Sequence, residues 1–194
     1  DLGRNIRAGA HYTQFMVYDL DGDGKAEVAC KTAPGTIDGQ GKAVLMGDDK
    51  VTDDYRVSSG SNKGIIVSGP EYLTVFNGQT GAEITTVSYV PLRSVRSNSQ
   101  WGDSYGNRSE RYLACVAYLD GQKPSLVMCR GYYTASYLCA WDFDGKNLTQ
   151  RWLHKSETAG EGIYGEGAHA LTVGDVDGDG IVTDITEWEA RRTE

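Results

Sequence analysis

The sequence predicts an all-β protein made of β-propeller blades, on three observations. Many short apolar runs are separated by glycine-rich turns, an acidic turn recurs in register, and a strand-turn-strand signature recurs between its copies. In 194 residues the 25 Gly and 12 Tyr favour turns and aromatic-rich strands over helices, and 39% hydrophobic residues suffice for a packed core. Length alone leaves one domain or two small ones open.

The first predicted strands, QFMVY and EVACK, flank the turn DLDGDGKAE. Asp19, Asp21 and Asp23 stand at positions 1, 3 and 5 of a D-x-D-x-D-G loop, the Lys25 carbonyl at position 7 and Glu27 at position 9. Such spacing wraps hard oxygens around Ca²⁺, with glycine permitting the sharp turn. An EF-hand would need a bidentate Glu at position 12, where this chain has Cys30 and, in the later copy, Thr186. The competing reading is a solvated acidic turn. Next comes a long polar stretch from Ala33 to Gly64, of a length that in a compact domain is functional or disordered. YLTVFNGQTGAEITTVS, from Tyr72, then reads as strand, turn and returning strand.

A second loop, RSVRSNSQWGDSYGNRS from Arg93, precedes VAYLDGQKPSLVMCR, which aligns with VYDLDGDGKAEVACK. Lys31 then matches Arg130 and Cys30 matches Cys129, while Asp19 and Asp23 become Tyr118 and Gln122. YLCAWDFDGKNLTQRWL repeats the strand-turn-strand signature 65 residues on (72 to 137). The third copy, TVGDVDGDG, supplies Asp175, Asp177, Asp179 and the Ile181 carbonyl; position 9 is Thr183, with Asp184 the available substitute. DITEWEARR, which follows, reads as a short helix. Intervals of 99 (21 to 120) and 57 (120 to 177) suggest a unit of about fifty residues with one register unmarked, hence three to four blades.

Two of the three histidines, His11 and His169, sit in GAH just ahead of the two complete acidic turns, and the middle copy lacks one. Each either orients or supplements a metal site, or is a core histidine bonded to backbone; imidazole is an unusual Ca²⁺ ligand. Cys30, Cys115, Cys129 and Cys139 show no zinc-type spacing and lie in apolar runs, as buried free thiols or as disulfide partners. A net charge of -8 argues against nucleic-acid binding, and no apolar run is long enough for a membrane helix. No signal peptide opens the sequence, so a mature chain or a piece of a longer one is expected.

The strings NIRAGAHYTQFMVYDLDGDGKAEVACKTAPGT, SGPEYLTVFNGQTGAE, WGDSYGNRSERYLACVAYLDGQKPSLVMCRGYYTASYL and GAHALTVGDVDGDG resemble the rhamnogalacturonan lyases of polysaccharide lyase family 11, up to about Gly180. The resemblance implies a secreted or periplasmic bacterial enzyme, an eight-bladed β-propeller with bound Ca²⁺. Its activity would be β-elimination on the rhamnogalacturonan I backbone of pectin. Residues 1–194 would then form a partial propeller domain, incomplete at both ends, with exposed blade edges open to self-association.

β-Elimination from a uronate requires its carboxylate to be neutralised, a base for the C5 proton and an acid or metal for the departing O4. Lys31 and Arg130, at equivalent strand ends before the loops TAPGT and GYYTAS, are candidates for the base or for substrate contact, or are solvated charges. Thr36, Trp101, Asp103, Tyr105, Asn107, Arg108, Tyr132 and Tyr133 complete the expected substrate cleft, aromatic faces suiting sugars and cations suiting carboxylates. Core packing is the alternative for the aromatics. The other functional class open to the sequence is a non-catalytic, calcium-stabilised propeller module resembling integrin-type repeats, which binds carbohydrate or protein.

Overall fold

The computed structural model of the chain describes residues 1–9, 11–162, 164–167, 169–178 and 184–188. Two four-stranded antiparallel meanders succeed one another. The first comprises β1 (Phe15–Tyr18), β2 (Glu27–Thr32), β3 (Tyr72–Asn77) and β4 (Glu83–Ser88); the second comprises β5 (Ala114–Ala117), β6 (Ser125–Arg130), β7 (Ser136–Phe143) and β8 (Leu148–Ser156). A further pair, β9 (Ala170–Gly174) and β10 (Asp184–Trp188), is also antiparallel. Between the meanders the connector holds a 3-10 turn, Arg93–Val95, and one helical turn, α1 (Asn98–Trp101). Ser97 and Gln100 close α1 reciprocally as a capping box.

The repeat read from sequence is present in the backbone. Each meander carries a register shift between its third and fourth strands, at Val75/Phe76 and at Ala140/Trp141, equivalent positions in the aligned copies. Two expectations are corrected. The unmarked register falls in residues 33–71, which contain only the isolated bridges Ile37↔Ala43 and Arg56↔Ile66, so the first interval is one unit with a long loop. The segment opening DITEW is strand rather than helix: Asp184 pairs with Gly174 and Ile185 with Val173, cross-strand pairing overriding the helical reading.

The sheets stack face to face because both faces of the inner strands are apolar. On β6, Leu126 and Met128 join Ala29, Leu73 and Val75 of the first sheet in one core, while Val127 and Cys129 face the other way. Leu171, Val173 and Ile185 of the third sheet cover that second face. β6 is accordingly buried along its whole length, the pattern of a strand enclosed on both sides rather than half-solvated. Cys30, Tyr72 and Phe76, on the far face of the first sheet, close over Val44 from the long loop. All four cysteines are free, and burial pushes the thiols of Cys30, Cys115 and Cys139 up to about 12, leaving them as inert packing groups. At the edge of the first sheet, Phe15 and Val17 of β1 are 58% and 54% exposed.

Meander topology sorts the connections. The turns β1–β2, β3–β4, β5–β6 and β7–β8 gather at one end of the sheets, while the loops 33–71, 89–113 and 131–135 and the start of the connection after β8 gather at the other. No helix among the described residues is long and apolar enough to cross a membrane.

Candidate functional site

The turn end carries the acidic loops. Oxygens of Asp19, Asp21 and Glu27 lie within 4.8 Å of one another, as do those of Asp175, Asp177 and Asp184. The two turns are built alike. The Gly22 N–H donates to Asp19 Oδ1 at 2.8 Å, and the Gly178 N–H to Asp175 Oδ1 at 2.7 Å. The Leu20 N–H donates to Glu27 and the Val176 N–H to Asp184, each at 2.9 Å. Asp184, one residue later with a side chain one methylene shorter, thus occupies the place of Glu27. Gly22 and Gly24, at φ 82 and 87, supply the left-handed turn.

Glu27 is buried, and burial first, then the charges of Asp21, Asp23 and Asp19, raise its carboxyl above the usual value against the Leu20 hydrogen bond. A divalent cation fits that donor set, since it would offset like charges held together in a partly desolvated place. The middle copy shows the alternative remedy: Asp120 receives Arg151 Nη2 at 3.2 Å, a protein cation where the other carboxylates are missing. Asp23 stands apart, accepting the Lys25 N–H at 2.8 Å with the Lys25 ammonium at 3.7 Å. Asp179 and Ile181 lie outside the described residues.

His11 and His169 are not in either acidic group. β1 separates His11 from Asp19, and β9 separates His169 from Asp175, which places both rings at the loop end. This corrects their assignment as metal ligands: a four- or five-residue strand spans more than about 13 Å, far beyond a coordination shell. They converge instead on Arg111, whose Nη2 lies 3.1 Å from His169 Nδ1. Burial, then the charges of Arg111 and His169, lower the His11 pKa, so its imidazole is neutral at pH 7.

At the same end the two meanders meet through a buried ion cluster. Lys31 Nζ lies 3.0 Å from both Glu71 and Glu110, Arg130 Nη2 lies 2.6 Å from Glu71, and Arg93 Nε lies 2.6 Å from Glu110. The hydroxyl of Tyr112 reaches both carboxylates at 3.3 and 3.2 Å, and the Arg130 guanidinium lies over the rings of Tyr89 and Tyr112. With Lys31 3% exposed and Arg130 0%, neither is a solvated strand-end charge or open to a polymer. Their assignment to catalysis and substrate binding is therefore corrected: enclosure between the sheets leaves them as the cations that join the meanders. Gly131 (φ 90) turns the chain directly after Arg130, where a Cβ would meet the Ala135 carbonyl at 2.4 Å.

Burial alone would raise the Glu71 and Glu110 carboxyls, but the surrounding cations outweigh it and hold both below the usual range. Carboxylates depressed in the folded state stabilise it fully above their unfolded value, and that contribution is lost as pH falls through the folded values. The expected result is a melting temperature that drops as pH is lowered below about 4.5; a scan by circular dichroism checks it, and a flat profile down to pH 3 would count against ionised carboxylates in the cluster.

The remaining cleft residues divide. Thr36 and Trp101 are buried, Thr36 donating to the Leu2 carbonyl at 2.9 Å and the Trp101 indole to the Arg93 carbonyl at 3.0 Å, so both support loops. Asp103 accepts the N–H groups of Tyr105, Asn107 and Arg108 at 2.7 to 3.2 Å and shapes the WGDSYGNR loop. That loop delivers Asn107 to the hydroxyls of Tyr12 (2.9 Å) and Tyr132 (2.5 Å). Arg108 lies over the Tyr133 ring at 5.4 Å and Arg111 over the Tyr132 ring at 5.1 Å. Tyr105 and Tyr133 are exposed. Tyr133 holds φ 62, a left-handed conformation costing a non-glycine residue about 1–3 kcal/mol and found most often where function requires it. His11, His169 and Tyr133 are thus exposed at the loop end, with Arg108 half-buried and Arg111 and Tyr132 buried against them.

Glu71, Arg93, Glu110 and Arg111 escaped the sequence reading. The available clue was positional: Glu71 and Glu110 both stand just ahead of a Tyr-Leu pair, in EYL and ERYL.

A family model described as rhamnogalacturonan lyase family 11, C-terminal domain, matches residues 1–187. Over 181 residues the chain is 58% identical to the rhamnogalacturonan exolyase YesX of Bacillus subtilis (strain 168), covering 93% of this chain and 28% of that protein. It is 55% identical to the rhamnogalacturonan endolyase YesW of the same strain, again over 93% and 28%. Among solved structures, exotype rhamnogalacturonan lyase YesX superposes with TM-score 0.83 at 57% identity, covering 93% of this chain and 28% of that one. A Bacillus licheniformis rhamnogalacturonan lyase gives TM-score 0.83 at 57% identity, covering 94% and 30%. The chain spans less than a third of the length of these relatives.

Proposed function

The chain belongs to rhamnogalacturonan lyase family 11, and from that membership we propose that it forms part of a secreted or periplasmic polysaccharide lyase acting on the rhamnogalacturonan I backbone of pectin by β-elimination. The stacked meanders are then blades of a propeller, and residues 1–194 a portion of that domain. The exposed apolar edge of β1 is the surface that meets further sheets or a second chain. One observation carries the chemical reading: His11, His169, Arg108 and Tyr133 are brought together at the loop end over the buried Arg111 and Tyr132.

Arg108, half-buried at that end, offsets the charge of a uronate carboxylate, which makes its C5 proton more acidic, while the buried Arg111 holds the His169 ring. The neutral imidazole of His11 takes that proton. The C4–O4 bond then breaks, O4 leaves with the bonding pair and gains a proton from solvent or a neighbouring acid, and a C4=C5 double bond remains. Tyr133, exposed, presents an aromatic face to the sugar rings, with the buried Tyr132 packed behind it. Asp19, Asp21 and Glu27 in one turn, and Asp175, Asp177 and Asp184 in the other, would hold Ca²⁺, which when bound neutralises those carboxylates and cross-links each turn.

Incubating the chain with rhamnogalacturonan I should release unsaturated uronate ends, read by their ultraviolet absorbance. His11→Gln should slow that release about a hundred- to ten-thousand-fold with an unchanged circular dichroism spectrum. An unchanged rate in the variant would remove His11 from the mechanism; polysaccharide retention without product would identify a binding module instead.

A further inference from the structure

The two acidic turns are alike in their hydrogen bonds and differ in what covers them. Leu20, between Asp19 and Asp21, is 1% exposed and lies in the core shared by the first two sheets, with Met128, Trp141, Phe143 and Leu148 of the second. Val176, at the same place between Asp175 and Asp177, is 66% exposed. Two further contacts cross the seam at the first turn. The β7–β8 turn of the second sheet lies against Asp21, because a Cβ on Gly145 would meet Asp21 Oδ2 at 2.7 Å. The hydroxyls of Tyr18, on β1, and Tyr118, in the β5–β6 turn, lie 3.0 Å apart. Between the first acidic turn and the second sheet is a cavity of about 400 Å³, with Asp21, Asp120, Asp142 and Asp144 on its wall. Arg151 pairs with Asp120 at 3.2 Å and with Asp142 at 2.9 Å, whereas Asp21 and Asp144 form no ion pair among the described residues.

We infer that the β7–β8 turn is the backstop of the first acidic turn, with Gly145 as a positioning residue for Asp21, so that ion binding there and stacking of the second sheet are one coupled equilibrium. The inference rests on the calcium reading given above. Gly145 acts by leaving room. Asp21 Oδ2 ends a side chain, so while free it can swing away from an added Cβ, but not once the carboxylate is fixed on a cation. A side chain at position 145 therefore penalises the loaded turn more than the empty one. Charge acts in the same direction, since an ion on Asp21 offsets a carboxylate that otherwise shares the seam with Asp144. The coupling is reciprocal: an ion that binds the stacked sheets more tightly holds them stacked by the same factor. The second turn, with Val176 exposed, has no such backstop among the described residues, and its ion holds that turn alone.

Hydrogen exchange read by mass spectrometry, with Ca²⁺ and with EGTA, tests the joint on the unmodified chain. Ca²⁺ should slow exchange at residues 19–27 and also at residues 143–148 of the second sheet, which carry none of the proposed ligands. Asp21→Ala should abolish the second effect, and Asp177→Ala should preserve it. Isothermal titration calorimetry then isolates Gly145. In the Asp177→Ala background, where the first turn alone takes the ion, Gly145→Ala should weaken Ca²⁺ binding about tenfold or more. Gly41→Ala is the control for backbone strain: Gly41 is also left-handed, at φ 81 against 87, but a Cβ there meets nothing within 4 Å, and the affinity should not change. Protection confined to residues 19–27, equal affinity in Gly145→Ala, or equal weakening by both alanines would overturn the joint and leave the calcium reading standing. A chain that binds no Ca²⁺ would overturn that reading and the joint with it.

Discussion

Glu71→Gln is expected to destabilise the fold by about 3–5 kcal/mol, lowering the melting temperature by roughly 6–20 °C. The carboxylate receives Lys31 at 3.0 Å, Arg130 at 2.6 Å and Arg93 at 3.1 Å, and its Oε2 accepts the Arg93 backbone N–H at 2.6 Å. A neutral amide keeps the volume, but leaves three buried cations facing Glu110 alone. The cost arises from the unpaired charges rather than from the pairing itself, since a complete apolar replacement of a buried ion cluster can be neutral or stabilising. Pairing Glu71→Gln with Arg130→Met, which removes one charge of each sign, should therefore cost less than the sum of the single changes. Thermal and denaturant unfolding of the two single variants and the double variant measures this. Strict additivity would show that the two charges do not sense each other.

That cluster also shows why part of the protein could be read from its sequence and part could not. Strands and turns are local, so the apolar runs in VACK and LVMCR and the glycines of DGDG located β2, β6 and the acidic turn before β2. Asp19, Asp21 and Glu27 are close in sequence and were legible as one group, whereas His11, eight positions before Asp19, was assigned to the same group by proximity along the chain. An extended strand carries eight residues to the opposite end of the sheet, and topology rather than spacing decided that His11 meets Arg111 and His169. The charges misread as solvated or catalytic, Lys31 and Arg130, belong to a contact between residues 31, 71, 93, 110 and 130, brought together only when the two sheets stack. The aligned Lys31 and Arg130 marked the place, and their partners had no motif. The strand at Asp184–Trp188 was missed for a related reason: TEWEA has helical composition, and pairing with β9 outweighs that preference.

Removing Ca²⁺ should lower the melting temperature by roughly 5–10 °C, with recovery when the ion is returned. The size follows from linkage: a ligand present at a hundredfold excess over its dissociation constant stabilises the folded state by about 2.7 kcal/mol. Each kcal/mol moves the melting temperature of a domain this size by roughly 2–4 °C. The physical ground is the turn itself. Glu27 is buried with its carboxyl raised by burial and by Asp21, Asp23 and Asp19, so the ion-free turn retains an electrostatic strain that a divalent cation would relieve. Asp21→Ala should remove much of the response to chelator, because Asp21 belongs to the three-carboxylate group of the first turn. Asp120→Ala is the control. It sits at the equivalent place in the second meander, where Arg151 at 3.2 Å supplies the opposing charge, and its chelator response should match the unmodified chain. Differential scanning calorimetry with and without EGTA reads all three proteins. Indifference of the unmodified chain to chelator would leave both acidic turns as hydrogen-bonded loops, held by the Leu20 and Val176 N–H groups rather than by metal.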